Sequence, residues 1–180
     1  YIRAAVPAEG IALPAPEVQA PEIPQLPIAI VLGELDVPKV TFGEDLFGLG
    51  SEIAVSGALT LADGSLDTKL DITRKDGPGG TLALALKYDR PSENADIALT
   101  LNEPPDGLIV NLLGMEGKPE VALSLEGSGP LADLRTDLAL DVAGKRALSG
   151  FAQLTRAYTG LAVAAELGGP IADLVPVAYK

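Results

Sequence analysis

Hydrophobic and polar residues alternate along most of the chain after residue 27. In SLDTKLDIT, for example, Leu70 and Ile72 share one parity, whereas Lys69 and Asp71 share the other. The same alternation occurs in EIAVSGALTL, TLALALKYD, ADIALTLN, EVALSLEG, LRTDLALDV and GLAVAAEL. A period of two is typical of a β-strand with one apolar and one polar face. The pattern therefore predicts a series of amphipathic strands.

Short turn sequences separate these strands. Asp63–Gly64 is the kind of residue pair that a two-residue type I′ hairpin turn requires. The other connections are KDGPGG (Lys75–Gly80), DRPSEN (Asp89–Asn94) and AGK (Ala143–Lys145). Because connections this short join strands that are neighbours in the sheet, we predict an antiparallel meander.

The segment EPPDGLIVNLLGM, residues 103–115, departs from this period. Four of its apolar residues follow helical spacing: Leu108, Ile109, Leu112 and Leu113. Asp106 is placed to cap a helix at its N-terminus, and Gly114 is placed to end it. We therefore expect one short helix over residues 106–113, apolar on one face.

The first 27 residues have a different composition. They contain six prolines: Pro7, Pro14, Pro16, Pro21, Pro24 and Pro27. Proline at this density blocks helices and central strands and favours an extended backbone. We expect residues 1–27 to be a linker, or an edge segment from which Ile23, Leu26 and Ile28 touch the core. Residues 28–180 then form the β domain.

A single short helix cannot cover the apolar faces of so many strands. The sheet must either close as a barrel or sandwich or curl into an open gutter. Aromatic residues make up only 4% of the chain, whereas sandwiches and carbohydrate-binding clefts usually rely on aromatic anchors. An ordinary aliphatic β-core remains an alternative. We favour an all-β fold, in which an elongated, curled antiparallel sheet forms an open half-pipe groove.

The residues expected to line this groove are large apolar residues that share one parity in their strands. They are Val55, Leu59, Leu61, Leu66, Leu70, Ile72, Leu82, Leu84, Leu86, Ile97, Leu99, Leu101, Val121, Leu123, Leu125, Leu138 and Leu140. A lining of aliphatic side chains is chemically similar to a lipid acyl chain. A lipid acyl chain is therefore a candidate ligand, which the family resemblance described below narrows to phospholipid, and we expect no cofactor and no metal.

Composition and charge exclude several functions. The formal net charge is −12, from 25 acidic and 13 basic residues, which argues against nucleic acid as a partner. The chain has no histidine and no cysteine, so Ser-His-Asp and Cys-His nucleophilic sites and ordinary zinc sites are excluded. A carboxylate-pair hydrolase stays formally possible, but no acidic pair is marked by an apolar pocket. We therefore expect no enzymatic activity. The absence of cysteine suits an oxidising compartment such as a bacterial periplasm.

The hexapeptide pattern Gly-Pro-(Leu/Ile)-Ala-Asp-Leu occurs twice, at Gly129–Leu134 and Gly169–Leu174. Its one ionisable residue, Asp133 or Asp173, has no histidine or cysteine anywhere in the chain with which to form a catalytic pair. We therefore interpret the hexapeptide as turn punctuation in a repeating scaffold rather than as a catalytic motif.

Three stretches resemble the TamB family of proteobacterial translocation and assembly proteins, which are related to the AsmA-like, bridge-like lipid transfer proteins. The stretches are SGALTLADGSLDTKLDI (Ser56–Ile72), NEPPDGLIVNLLGMEGKP (Asn102–Pro119) and EVALSLEGSGPLADLRTDLALDVAGKRALSG (Glu120–Gly150). The most specific element is the Glu-Pro helix followed, across one strand, by Gly-x-Gly-Pro-Leu-x-Asp. Leu134 stands where the family usually has an aromatic residue. The likeness extends from about Pro24 to the C-terminus.

This resemblance implies a function in the bacterial envelope. Such proteins are long and periplasmic, are anchored in the inner membrane, and fold as a "β-taco" with a continuous apolar lining. They act with the outer-membrane protein TamA in outer-membrane protein assembly or in phospholipid movement between the two membranes. The family has no catalytic residues to carry over. The chain would then be an internal segment, with the membrane anchor and the TamA-contacting part outside it.

Two other functions are compatible with the same pattern. The first is a chaperone-like module that binds the β-strands of nascent outer-membrane proteins, through its strand edges or through the groove. The second is a structural β-sandwich or repeat module of a surface protein.

Overall fold

Nine antiparallel strands follow one another across a single sheet in the computed structural model, which describes residues 29–44, 48–157 and 160–170. The strands are β1 (Ile30–Phe42), β2 (Ser51–Ala62), β3 (Ser65–Arg74), β4 (Thr81–Asp89), β5 (Asn94–Glu103), β6 (Val121–Pro130), β7 (Asp133–Val142), β8 (Lys145–Ala157) and β9 (Gly160–Gly168). Their order in space is their order along the chain. β1 and β9 are the outer strands and do not pair with each other in this part of the chain, so the sheet is open. The predicted all-β fold with an open antiparallel sheet is confirmed.

The proline-rich segment over residues 1–27, together with Ile28, lies outside the described residues. The predicted contacts of Ile23, Leu26 and Ile28 with the core therefore remain predictions.

Regular pairing joins the apolar residues of successive strands into rows across the sheet. One row runs through Ile72, Leu82, Leu101, Leu123 and Leu140, each of which lies opposite the next on the neighbouring strand. Residues directly opposite each other in an antiparallel pair share a face of the sheet. The registers place all 17 of the predicted lining residues on one face, which we call the apolar face.

Two bulges in β1 keep the large apolar residues of this edge strand on the apolar face of the sheet. Its register against β2 shifts between Leu32 and Leu35 and again between Val37 and Val40. Each shift adds one residue to β1, and an extra residue reverses the parity of all that follow it. Leu35 and Val37 therefore share the apolar face with Leu32 and Val40, although their numbers have the opposite parity.

Two hairpin turns have type I′ geometry, and one of them is the predicted Asp63–Gly64 turn. Asp63 and Gly64 have φ angles of 52° and 78°, and Ala143 and Gly144 have φ angles of 51° and 70°. Two successive positive φ angles define the type I′ turn, whose twist matches that of the flanking strands. The Asp63–Gly64 prediction is confirmed.

Glycine is required at several points inside the strands where the neighbouring backbone is very close, and Gly57 and Gly127 are two of them. A Cβ atom at Gly57 would lie 2.4 Å from the carbonyl oxygen of Lys69 on β3. A Cβ atom at Gly127 would lie 2.4 Å from the carbonyl oxygen of Arg135 on β7. Glycines at such points allow the close approach of adjacent backbones, and a sheet can bend sharply there.

The helix α1 (Leu108–Leu112) and the turn after it form the best-packed part of the structure. Val110 is completely buried. It clusters with Met115, Val121 of β6, Val142 of β7 and Ala147 of β8. The helix therefore rests on the apolar face, at the end of the sheet where β5 ends and β6 begins.

The predicted limits of this helix were too wide. It begins at Leu108, and its N-cap is Gly107, which makes no side-chain cap. Asp106 is not the cap, because it has a φ angle of 62° and lies in the preceding turn. The predicted end is confirmed, since Gly114 adopts the left-handed conformation with a φ angle of 60°.

The described parts of the two Gly-Pro hexapeptides, Gly129–Leu134 and Gly169–Pro170, lie at opposite ends of the strands. β6 ends with Gly129 and Pro130, and β7 begins at Asp133. Gly169 and Pro170 follow β9. Three strands separate the two copies, and an odd number of antiparallel strands reverses direction. The first copy is a hairpin turn, as predicted, but the doublet is not a simple repeat along one rim; residues 171–174 lie outside the described part.

Candidate functional site

The apolar face is the candidate functional site. Of the 17 predicted lining residues, 16 are half-buried, and only Val121 is buried. Extensive contacts between elements are confined to strands that are adjacent in the sheet. In the described part of the chain there is thus no second sheet packed about 10 Å above this face, as a sandwich would require. Away from the end of the sheet where α1 rests, the lining residues are shielded by their neighbours within the sheet, and the described residues leave them open above.

A face of this size that the described residues leave largely uncovered is unusual for a stand-alone domain. Nine strands spaced about 4.8 Å apart give a face about 38 Å wide. Single exposed apolar residues are normal on protein surfaces, whereas large continuous apolar patches mark sites that bind other molecules. The outer strands are the most open, with Leu32 of β1 41% exposed and Leu167 of β9 46% exposed.

A pocket of about 300 Å³ lies at one end of this face, beside α1. Leu108 and Ile109 of the helix line one side of the pocket. Its other walls come from strands β1 to β5 and from Gly80, which precedes β4; the strand residues are Phe42, Ile53, Ile72, Arg74, Thr81, Leu82, Leu101 and Glu103. Ile72, Leu82 and Leu101 belong to the predicted lining, so the pocket is continuous with the open face.

Arg74 is a charged residue on the apolar face. It lies opposite Ile53 and is 8% exposed. Its Nε and Nη2 atoms donate to the two carboxylate oxygens of Asp76, at 3.2 and 2.9 Å. The backbone N–H of Glu52 also donates to Asp76, at 2.6 Å. The hydrogen bond from Arg74, followed by that from Glu52, lowers the pKa of Asp76 from 3.8 to about 2.

Glu103 is the second charged residue at this end and is 7% exposed. Its carboxylate accepts hydrogen bonds from the backbone N–H groups of Leu108, at 3.0 Å, and Ile109, at 2.8 Å. These donors belong to the first turn of α1 and have no partner within the helix. Glu103 therefore caps the helix from the end of β5, in place of the predicted Asp106.

A larger concavity, of about 790 Å³, lies on the polar face. Its lining combines small residues, such as Ala85 and Ala98, with charged residues of both signs: Asp67, Lys69, Lys87, Asp96, Glu126, Arg135 and Asp137. The Arg135 guanidinium lies 3.5 Å from the centre of the Phe151 ring. Among the described residues, no group of three or more acidic side chains is placed to hold a metal ion. This surface offers mixed charge without a convergent site.

Sequence reasoning placed the 17 residues on one face of the sheet but missed the charged residues at the end of that face. Arg74 and Glu103 continue the parity of Ile72 and Leu101, so a charged residue at an apolar position was the available signal. Phe42 was missed because the bulges of β1 break the alternation that the other strands share.

Comparison with protein-family models, with curated proteins and with solved structures finds no match for this chain. No helix among the described residues has both the length and the apolar character needed to cross a membrane.

Proposed function

We propose that the chain is a non-enzymatic, lipid-conducting segment of a TamB-like protein, and that phospholipid acyl chains bind along its apolar face. One observation carries the proposal. The 17 lining residues form one continuous face, 16 of them are half-buried, and no second sheet of described residues packs above them.

The physics of this face suits transport better than fixed binding. Burial of apolar surface contributes about 25 cal/mol per Å² wherever it occurs. Rows such as Leu70, Leu84, Leu99 and Leu125 present nearly the same side chains from strand to strand. A lipid acyl chain that moves along these rows buries a similar apolar area at each position. The lipid head group meanwhile stays in water at the rim of the face. The face thus offers strong attraction with few preferred stopping points.

The cellular setting follows from the resemblance to the TamB family. The chain would act in the periplasm as part of an inner-membrane-anchored protein. Its role would be in phospholipid transport to the outer membrane and in outer-membrane protein assembly. A TamA-like outer-membrane protein would be the partner, bound through parts outside this chain.

Site-specific photocrosslinking tests the proposal. Photoreactive residues placed at Leu84, Leu99 and Leu123 should capture phospholipid from vesicles, because these side chains belong to the apolar face. The same residue placed at Lys69 or Asp137 serves as the matched control, since both belong to the polar face. Native mass spectrometry of the purified chain should detect bound phospholipid.

Two results would overturn the proposal. Equal capture on both faces would mean that lipid adheres without regard to the lining. Bare protein in native mass spectra, together with no capture at Leu84 or Leu99, would exclude lipid binding by this face.

The edge of β9 favours a second candidate function, a chaperone-like module for the strands of outer-membrane proteins. β9 pairs with β8 in unbroken register, and it contains no proline and no lysine. β1, by contrast, carries two bulges as well as Pro38 and Lys39, which are features that protect a sheet edge from pairing. An alternating peptide that crosslinks to β9 and displaces lipid would support this function. Failure of such a peptide to bind either edge or the apolar face would exclude it.

A further inference from the structure

The pocket beside α1 differs from the rest of the apolar face, because a helix covers it. Leu108 and Ile109 stand over walls that include Ile53 of β2, Leu82 of β4 and Leu101 of β5. Apart from Val121 and Leu140, which pack against the Val110 cluster, the lining residues outside the pocket have no second layer above them among the described residues. A ligand in the pocket would therefore be shielded on two sides rather than one.

The helix is held in place without help from a ligand. Val110 is completely buried against β6, β7 and β8, and Met115 packs in the same cluster. The carboxylate of Glu103 accepts hydrogen bonds from the first two residues of the helix. The helix is thus anchored on the β6–β8 side and overhangs the β2–β5 side, where the pocket lies.

Both charged groups beside the pocket are already paired. The Arg74 guanidinium donates to Asp76, and the Glu103 carboxylate accepts from the helix backbone. Because both groups are engaged within the protein, neither is placed to bind a charged head group. The binding free energy of a ligand in the pocket would therefore come mainly from burial of apolar surface. Small-molecule pockets range from about 300 to 1,000 Å³, and at about 300 Å³ this one suits a single hydrocarbon chain rather than a whole two-chain lipid.

We propose that this pocket is a discrete holding site for the methyl end of one acyl chain. The rest of the acyl chain lies on the open part of the apolar face. Ile72, Leu82 and Leu101 belong both to this face and to the pocket. This inference rests on the proposed lipid function and adds to it a saturable stopping point at one end of an otherwise uniform surface. Lipid would therefore pause beside α1.

Palmitate with a photoreactive diazirine tests the site in the intact chain. A diazirine at the methyl end should label Leu101, Leu108 and Ile109, saturating at one label per chain. A diazirine next to the carboxylate should label residues outside the pocket. Mass spectrometry of proteolytic fragments locates the labels.

Variants separate the pocket from the open face. Leu101→Trp places a larger side chain in the pocket and should weaken methyl-end labelling of α1 by about tenfold or more, equivalent to about 1.4 kcal/mol. Leu125→Trp, on the open face, should leave that labelling unchanged. Ile109→Ala provides a second pocket variant, which should also weaken labelling, in case the tryptophan displaces the helix; circular dichroism and hydrogen exchange at Val110 report on the fold.

The outcomes distinguish this proposal from the one on which it rests. Methyl-end labels spread evenly over the apolar face, and insensitive to Leu101→Trp and Ile109→Ala, would overturn the holding site while supporting a lipid-conducting face. Labels confined to the pocket, with none on the open face, would support the site and contradict conduction. No labelling on the apolar face would overturn both.

Discussion

Arg74 and Asp76 form a two-point ion pair at the end of the apolar face, with nitrogen–oxygen distances of 3.2 and 2.9 Å. The Arg74 side chain is 5% exposed, and the Asp76 side chain is 33% exposed. A buried guanidinium is tolerated among aliphatic residues only while its charge is compensated. The ion pair with Asp76 therefore allows Arg74 to occupy a position at which the alternation of the strand predicts a hydrophobic residue.

Asp76→Asn should destabilise the fold strongly for a substitution in a turn. It keeps the size of the side chain but leaves the Arg74 charge without its partner, which should cost about 2–3 kcal/mol. Urea denaturation measures the loss. Asp71→Asn is the matched control on the polar face and should change the free energy of unfolding by less than about 0.5 kcal/mol. Equal losses in the two variants would contradict the role given to the pair.

The stability of the chain should fall in acid through the same residue. Because the pKa of Asp76 is about 2 in the folded chain against an ordinary 3.8, its ionised form stabilises the fold fully above pH 3.8. That contribution is lost as the pH falls from 3.8 towards 2. Allowing for solvent screening of a side chain that is one-third exposed, it amounts to about 1 kcal/mol.

Denaturation series at several pH values check this expectation. The difference in unfolding free energy between the wild-type chain and Asp76→Asn should narrow as the pH is lowered from 4 to 2. A difference that stays constant over this range would show that the carboxylate does not titrate as described.

Glu103→Ala should loosen α1 more than the rest of the structure. It removes the acceptor for the backbone N–H groups of Leu108 and Ile109 and should cost about 1–2 kcal/mol. Hydrogen exchange at Leu112 and Leu113 should speed up, while exchange at Leu99 in the centre of β5 should change less. Glu103→Gln retains one acceptor oxygen and should recover part of the protection; identical behaviour of the two variants would argue against capping by the carboxylate.

The alternation of apolar and polar residues predicted the apolar face well, because parity in a strand depends only on backbone geometry. Leu82 and Leu101 both occupy apolar positions in the alternation of their own strands, and they lie directly opposite each other in the sheet. The same rule failed for β1, since each bulge reverses parity. Bulges depend on how a strand fits its neighbour, and alternation within one strand does not contain that information.

The end of the groove was harder to predict for a related reason. Local sequence preference favoured Asp106 as the helix cap, because aspartate before an apolar helical pattern is a common start signal. The structure uses Glu103, which lies five residues before Leu108 and reaches the helix from the end of a strand. A cap that comes from another element depends on tertiary placement, so spacing within the helix could not identify it.

Gly127→Ala should disturb the sheet itself. The added methyl group would lie 2.4 Å from the Arg135 carbonyl oxygen and 2.9 Å from the Thr136 Cα, so β6 and β7 must move apart. We expect a loss of about 1–3 kcal/mol, the usual cost of overpacking, measured by urea denaturation. Because this strand pair carries Leu125 and Leu138 of the apolar face, lipid capture at Leu125 should weaken as well.

The matched control is Gly33→Ala in β1, where nothing lies within 4 Å of the added methyl group; it should retain both stability and lipid capture. If Gly33→Ala lost as much as Gly127→Ala, the effect would reflect glycine replacement in general and not the close approach of two strands.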